Sequence, residues 1–309
     1  MAPPTLSPTL SPTLSSTLSP TLPRVPSPPP AARQPQVRLA EPLAGHWHGG
    51  DAFRTHLFNA LSLMFPQGER SFIDTVREFL PHLAAEPHLR AQVLGFIGQE
   101  GTHARVHRGY NERLAELGFV DRLQARLERR IRLTRRWLRP LDRLAITVAY
   151  EHYTAVLAAN LLANPAVLRG AHPQLALLWG WHAVVETEHK AVAFDVYRRC
   201  GGGYLRRLAA GLYASFFLAL DLLVQVLGLL RDDRQRASPR QVLRSAWNVY
   251  FGPDRVAAAL WRGFMHFVRP GFHPWQVDNR ADVERWLHAH AQAFAASAPT
   301  LQPAPSAPS

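Results

Sequence analysis

The chain has 309 residues, 47% of them hydrophobic, a formal net charge of +12 and a sequence pI of about 11.0. That length and composition exclude a disordered chain and allow a substantial core, in one large domain or two. The charge is nearly all arginine, with Lys190 the only lysine; beside abundant Ala, Leu and Pro this reads as the bias of a GC-rich coding sequence, and no zinc finger or other nucleic-acid motif accompanies it, so a nucleic-acid partner is not expected.

Residues 1–40 repeat Thr-Leu-Ser-Pro and then run into further prolines. Recurring Pro forbids a helix, and the segment lacks the apolar mass for a core, so it reads as a disordered tail without the pattern of a secretory signal. His46, His48 and His56 follow, without a carboxylate at helical spacing, which favours surface or supporting roles over metal ligation. An amphipathic stretch from Phe53 to Phe65 comes next; Pro66 and Gly68 interrupt it, which predicts that Glu69 sits near the start of a helix ending around His82. Pro87 opens a second helix, which carries Glu100 and His103 and stops at Gly118. Glu69 lies 14 residues before Leu83 and Glu100 lies 13 after Pro87. At about 1.5 Å per residue both stand roughly 20 Å from the connecting turn, at one level of an antiparallel pair.

Residues 119–143 alternate arginine with Leu and Ile, the pattern of a solvated helical crossover or of a surface for phospholipid or an acidic partner. A third helix, Leu144 to Leu162, is apolar apart from Tyr150-Glu151-His152-Tyr153. A fourth begins after Pro173 and is expected to run unbroken through Trp181, His182, Glu186, His189 and Asp195. Glu151 lies 13 residues before Asn164 and Glu186 lies 13 after Pro173, so the second pair passes the same register test. The single cysteine, Cys200, excludes an internal disulfide framework, fits a reducing, cytoplasmic compartment, and stands at a helix end as a packed or capping residue. Leu208 to Leu230 is almost wholly apolar and long enough to span a bilayer, but Asp221 and Gln225 near its middle favour a buried or membrane-surface helix. Shorter helices are expected over Pro239 to Phe251, Pro253 to Val268 and Asp278 to Phe294, as a lid or second layer, and 297–309 as an unstructured tail.

Residues three apart on a helix lie one turn apart on the same side, so Glu100 with His103, and Glu186 with His189, each converge on one point. With Glu69 and Glu151 they make the composition of a centre in which bridging carboxylates hold two divalent ions, the ligand set of ferritin-like four-helix bundles. Carboxylate and imidazole donors suit iron first, with manganese or zinc as alternatives; the lack of thiolates argues against structural zinc or an iron-sulfur cluster. Glu188 competes with Glu186 as a ligand. His107 follows His103 by four and His182 precedes Glu186 by four, which puts both on the metal-facing side at one end of the bundle. Each is a candidate catalytic residue, as a further ligand or proton donor, or else a hydrogen-bond partner of a ligand. Asp195 is a further candidate for orienting a ligand histidine.

The stretches Phe65-Pro-Gln-Gly-Glu-Arg, Phe96-Ile-Gly-Gln-Glu-Gly-Thr-His, Trp181-His-Ala-Val-Val-Glu-Thr-Glu-His-Lys-Ala-Val-Ala-Phe-Asp and Pro270-Gly-Phe-His-Pro-Trp resemble the bacterial predicted metal-dependent hydrolases, over roughly residues 45–290. That resemblance implies a ferritin-like fold and metal ligands at Glu69, Glu100, His103, Glu151, Glu186 and His189. Val185 stands where that family tends to carry a second Glu. The organisation expected is therefore all-α: a ferritin-like bundle over 45–200 with a long crossover, and C-terminal helices over 201–296 that pack on it or face a membrane. The ligand set also resembles dinuclear oxygenases, which leaves oxidation of a small hydrophobic substrate, hydrolysis, and metal storage or sensing as the readings. A homodimer and peripheral membrane contact through 208–230 are the candidate associations.

Overall fold

A computed structural model describes residues 29–31, 33–35, 37 and 45–295; the Thr-Leu-Ser-Pro repeat and the 297–309 tail lie outside these. The described residues are all-α, with no strand among them. Their helices are α1 (Ala52–Arg77), α2 (Pro87–Glu116), α3 (Gln124–Trp137), α4 (Pro140–Ala163), α5 (Pro173–His189), α6 (Val192–Arg199), α7 (Tyr204–Asp232), α8 (Pro239–Tyr250), α9 (Val256–Phe267), α10 (Arg280–Ala289) and α11 (Gln292–Ala295).

Two antiparallel pairs form the frame. On α1 and α2, Asn59 meets Tyr110, Ser62 meets His107, and Glu69 meets His103. On α4 and α5, Thr154 meets Glu186 and Ala158 packs with Ala183. Pro87 and Pro173 each open a helix, where a missing N–H costs nothing, and Gly118 at φ 88° closes the turn after α2.

The structure corrects the start expected for the helix bearing Glu69. α1 begins with Asp51 as its N-cap and continues through Pro66 to Arg77, so Glu69 lies in its second half. A proline inside a helix leaves the carbonyl four residues back without its donor. Here that carbonyl is Ser62 O, and the Asn111 side-chain amide donates to it at 2.9 Å. The helix survives because α2 supplies what Pro66 removes.

The fourth helix is also divided. α5 ends at His189 and α6 starts at Val192. Lys190, in the break, is drawn away to Val277 O (2.7 Å) and Asn279 Oδ1 (2.6 Å). Cys200 is the C-cap residue of α6.

α3 is the arginine-rich crossover, and ion pairs hold the crossover segment: Arg130 with Asp221, Arg135 with Asp74 and, just beyond α3, Arg143 with Glu78. α7 packs along α1 and α4. Each of its three buried polar side chains has a protein partner, Arg207 at Phe267 O and Arg269 O, Asp221 at Arg130, and Gln225 at Arg122 N (3.0 Å) and Val120 O (3.0 Å). Residues that would be costly in lipid thus sit on an inward, protein-facing side.

His48 and His56 are buried and not on the surface. His46 and His56 both meet Asp233 Oδ2, at 2.5 and 3.1 Å, which ties the segment before α1 to the end of α7. His48 packs against Trp47 and Phe58, and His152 hydrogen-bonds Gly263 O at 2.9 Å. Burial lowers the pKa of both His48 and His152 to about 4. Unfolded histidines bind protons below about pH 6.5 and these two do not until about pH 4, so their contribution is present above 6.5 and is lost as pH falls toward 4. Between pH 7 and pH 5 each is expected to cost about 1–2 kcal/mol. Urea unfolding in chelator at the two pH values checks this: His152→Gln should shrink the difference by about that amount, whatever its absolute stability.

Candidate metal centre

Glu69 from α1, Glu100 and His103 from α2, Glu151 from α4, and Glu186 and His189 from α5 meet in the interior, each at most 3% exposed. The i, i+3 spacing works as the sequence reading expects. His103 Nδ1 lies 3.3 Å from Glu100 Oε1, 3.4 Å from Glu186 Oε1 and 3.9 Å from Glu69 Oε1. His189 Nε2 lies 3.2 Å from Glu100 Oε1, 3.4 Å from Glu151 Oε2 and 3.6 Å from Glu186 Oε2. Glu100 and Glu186 thus stand between the two histidines, with Glu69 on one side and Glu151 on the other.

The surroundings fix which nitrogen of His189 carries the proton. The Gln99 amide nitrogen donates to Glu188 Oε2 (2.9 Å) and Ala31 O (3.1 Å), so its oxygen is left to accept from His189 Nδ1 at 2.9 Å. With the proton on Nδ1, the Nε2 lone pair faces the carboxylates. A lone pair aimed at carboxylate oxygens is repulsive unless a cation lies between them. Both oxygens of Glu69, one each of Glu100 and Glu151, both nitrogens of His103 and His189 Nε2 are buried with no protein hydrogen-bond partner.

The charge balance points the same way. Burial, then the neighbouring Glu100 carboxylate, pushes the carboxyls of Glu69 and Glu151 well above their usual range. Burial opposes ionisation of Glu186 too, but His189 and His103 outweigh it and hold that carboxyl well below the usual range. Burial alone would lower His103; the Glu100 and Glu186 carboxylates raise it to about 10. A buried cluster of carboxylates and imidazole lone pairs is stabilised by bound cations, which neutralise the carboxylates and take the lone pairs, so the donor set fits metal ions.

Three groups of side chains place ligand atoms within 4.8 Å of one another here: Glu69 with His103 and His182; Glu100 with Glu151 and His189; Glu100 with His103 and Glu186. His182 is thus part of the cluster, its Nε2 3.5 Å from Glu186 Oε1. His107 is one step removed. Its Nε2 meets His182 Nδ1 at 3.0 Å and its Nδ1 meets Ser62 Oγ at 2.9 Å. Ser62 donates its hydroxyl proton to Asn111 Oδ1 at 2.6 Å. Following donors along this chain puts the His107 proton on Nδ1 and the His182 proton on Nδ1, and the His182 Nε2 lone pair toward the centre. Burial keeps both rings neutral, His182 being lowered to about 3.

Other candidates point elsewhere. Glu188 pairs with Gln99 and Arg33. Asp195 hydrogen-bonds His273 at 3.2 Å. Supporting residues that the motif did not reveal are Gln99, Ser62, Asn111 and Thr154, whose hydroxyl donates to Glu186 Oε2 at 2.6 Å. Gln99 is the residue before a ligand, the one local signal available.

A cavity of about 990 Å³ reaches the centre, with Glu69, His182 and Thr154 in its wall. The rest is mainly apolar, including Phe65, Phe72, Trp179, Leu218, Leu222 and Phe264. No curated protein and no solved structure matches the chain. A protein-family model described as predicted metal-dependent hydrolase matches residues 31–278, a span holding every residue of the buried Glu/His cluster, and the chain belongs to that family.

Proposed function

We propose that the chain is an enzyme whose ferritin-like bundle holds two divalent metal ions, iron first among them, and that it oxidises a small hydrophobic substrate with dioxygen. Glu69, Glu100, His103, Glu151, His182, Glu186 and His189 would hold the ions, with Glu100 and Glu186 standing between His103 and His189. Two ions held so supply either the electrons for dioxygen reduction or, as Lewis acids, an activated water. The observation that carries the reading is the pair of imidazole lone pairs, His189 Nε2 and His182 Nε2, that hydrogen-bond chains turn toward buried carboxylates beside an apolar cavity. Within it, Gln99 and His107 orient ligands, Thr154 holds Glu186, and the apolar wall excludes water and binds substrate.

The family description favours a second reading, hydrolysis at the same centre. Metal analysis of the purified protein, followed by reductant and air, separates the two. Two irons per chain with oxygen uptake and a new near-ultraviolet absorption band are expected. Zinc or manganese with no oxygen uptake would overturn oxidation in favour of hydrolysis.

A further inference from the structure

The outer side of α7 is apolar from end to end. Leu205, Leu212, Phe216, Leu223 and Leu227 are 57–76% exposed, and their spacing puts them on one stripe about 33 Å long. On α8, Leu243 and Trp247 are exposed, as is Phe251 at its C-cap, and on α9, Trp261 and Met265. An apolar surface this large is uncommon on a monomeric soluble protein and marks a binding face.

Two further observations say what covers it. The first is charge. Between residues 204 and 269 each acidic side chain is buried or paired: Asp221 with Arg130, Asp232 with Arg122, Asp233 with His46 and His56, Asp254 with Arg54. Exposed arginines stand among the exposed apolar residues, including Arg240 and Arg244 on either side of Leu243, Arg255, and Arg262 next to Trp261. Apolar and aromatic side chains interleaved with arginine, with no free acid, match an anionic lipid surface. The second is continuity. Leu212 and Leu223 of α7 and Trp261 of α9 belong both to the exposed face and to the wall of the cavity that ends at Glu69 and His182. α7 and α9 approach closely where Gly211 meets the Phe267 ring. The cavity lining continues from there through Leu218, Leu222 and Val226 on α7 and Leu260, Ala257 and Val256 on α9. The exposed lining residues Leu212, Leu223 and Trp261 join the cavity to the apolar face.

We infer that the α7–α9 face rests on an anionic lipid bilayer, and that the cavity takes a long acyl chain from it, reaching the metal centre through the mouth beside Leu212, Leu223 and Trp261. The inference deepens the reading of the centre as an enzyme site for a hydrophobic substrate. The volume, at the upper end of the roughly 300–1,000 Å³ of ordinary ligand sites, suits a chain-like molecule.

The test uses the metal-loaded full chain and vesicles of phosphatidylcholine with or without one-third phosphatidylglycerol. The protein is expected to sediment with the anionic vesicles at least tenfold more than with the neutral ones, less so at high salt. A Leu212→Glu/Leu223→Glu/Trp261→Glu variant, changed only at exposed positions, should lose at least tenfold in vesicle binding with metal content unchanged. Ala257→Trp, inside the wall, should keep vesicle binding and lose at least tenfold in affinity for the fluorescent acyl probe cis-parinaric acid. Wild-type protein that ignores both vesicles, a triple variant that sediments like wild type, or an Ala257→Trp variant that keeps its probe affinity would overturn the inference. So would a dimer in light scattering that the triple variant dissolves without any vesicle binding, which would give the face to a second copy of the chain. A chain that binds vesicles and probe but purifies without metal would leave this inference standing and overturn the enzymatic reading.

Discussion

Glu100→Ala is expected to purify with less than about a tenth of the wild-type metal content and without measurable turnover. Glu100 is the carboxylate nearest both histidines, 3.3 Å from His103 Nδ1 and 3.2 Å from His189 Nε2, and it belongs to two of the three ligand groups. On the proposed reading its loss would open both metal positions together. An outer partner of a metal site is worth roughly 10–100-fold in affinity, and a shared direct ligand exceeds that. Inductively coupled plasma analysis of the dialysed protein checks the content.

The same substitution separates the ligand role from a merely structural one. Metal binding stabilises the folded state by mass action, about 4 kcal/mol at a thousandfold excess over Kd. Chelator should therefore lower the melting temperature of wild type and leave Glu100→Ala nearly unmoved. A residue that only packed the core would destabilise with and without chelator.

Much of the centre was legible because its information is local. A Glu and a His three apart share a helix face, and Pro87 and Pro173 mark helix starts by a missing N–H, so counting residues from each turn sets the level of each ligand. What escaped the sequence depends on partners far along the chain. Pro66 reads as a break, and α1 runs through it with Asn111, on another helix, answering Ser62 O. Lys190, in the break between α5 and α6, has its partners at Val277 and Asn279, far along the chain. His46 and His56 lack a carboxylate at helical spacing, and theirs, Asp233, arrives from the end of α7. The cavity is a property of the space enclosed by several helices, which no single stretch encodes.

The chain from Pro66 to His182 gives the second large effect, and it has two separable parts. Asn111→Leu removes the donor to Ser62 O, a partly buried carbonyl whose helical donor Pro66 lacks, at an expected cost of about 1–3 kcal/mol. It also removes the acceptor of the Ser62 hydroxyl. That proton is then free to turn toward His107 Nδ1, which moves the His107 proton to Nε2 and the His182 proton from Nδ1 to Nε2, where it blocks the lone pair facing Glu69 and His103. Metal affinity should fall by roughly 10–100-fold on top of the loss of stability. Adding Pro66→Ala restores a backbone N–H that can bond Ser62 O, and the double variant should regain most of the stability in urea unfolding. It restores nothing for the hydroxyl, so its metal affinity in competition with a chelating dye should stay low. Stability and affinity recovering together would show that the chain acts through packing alone and does not set the tautomer of His182.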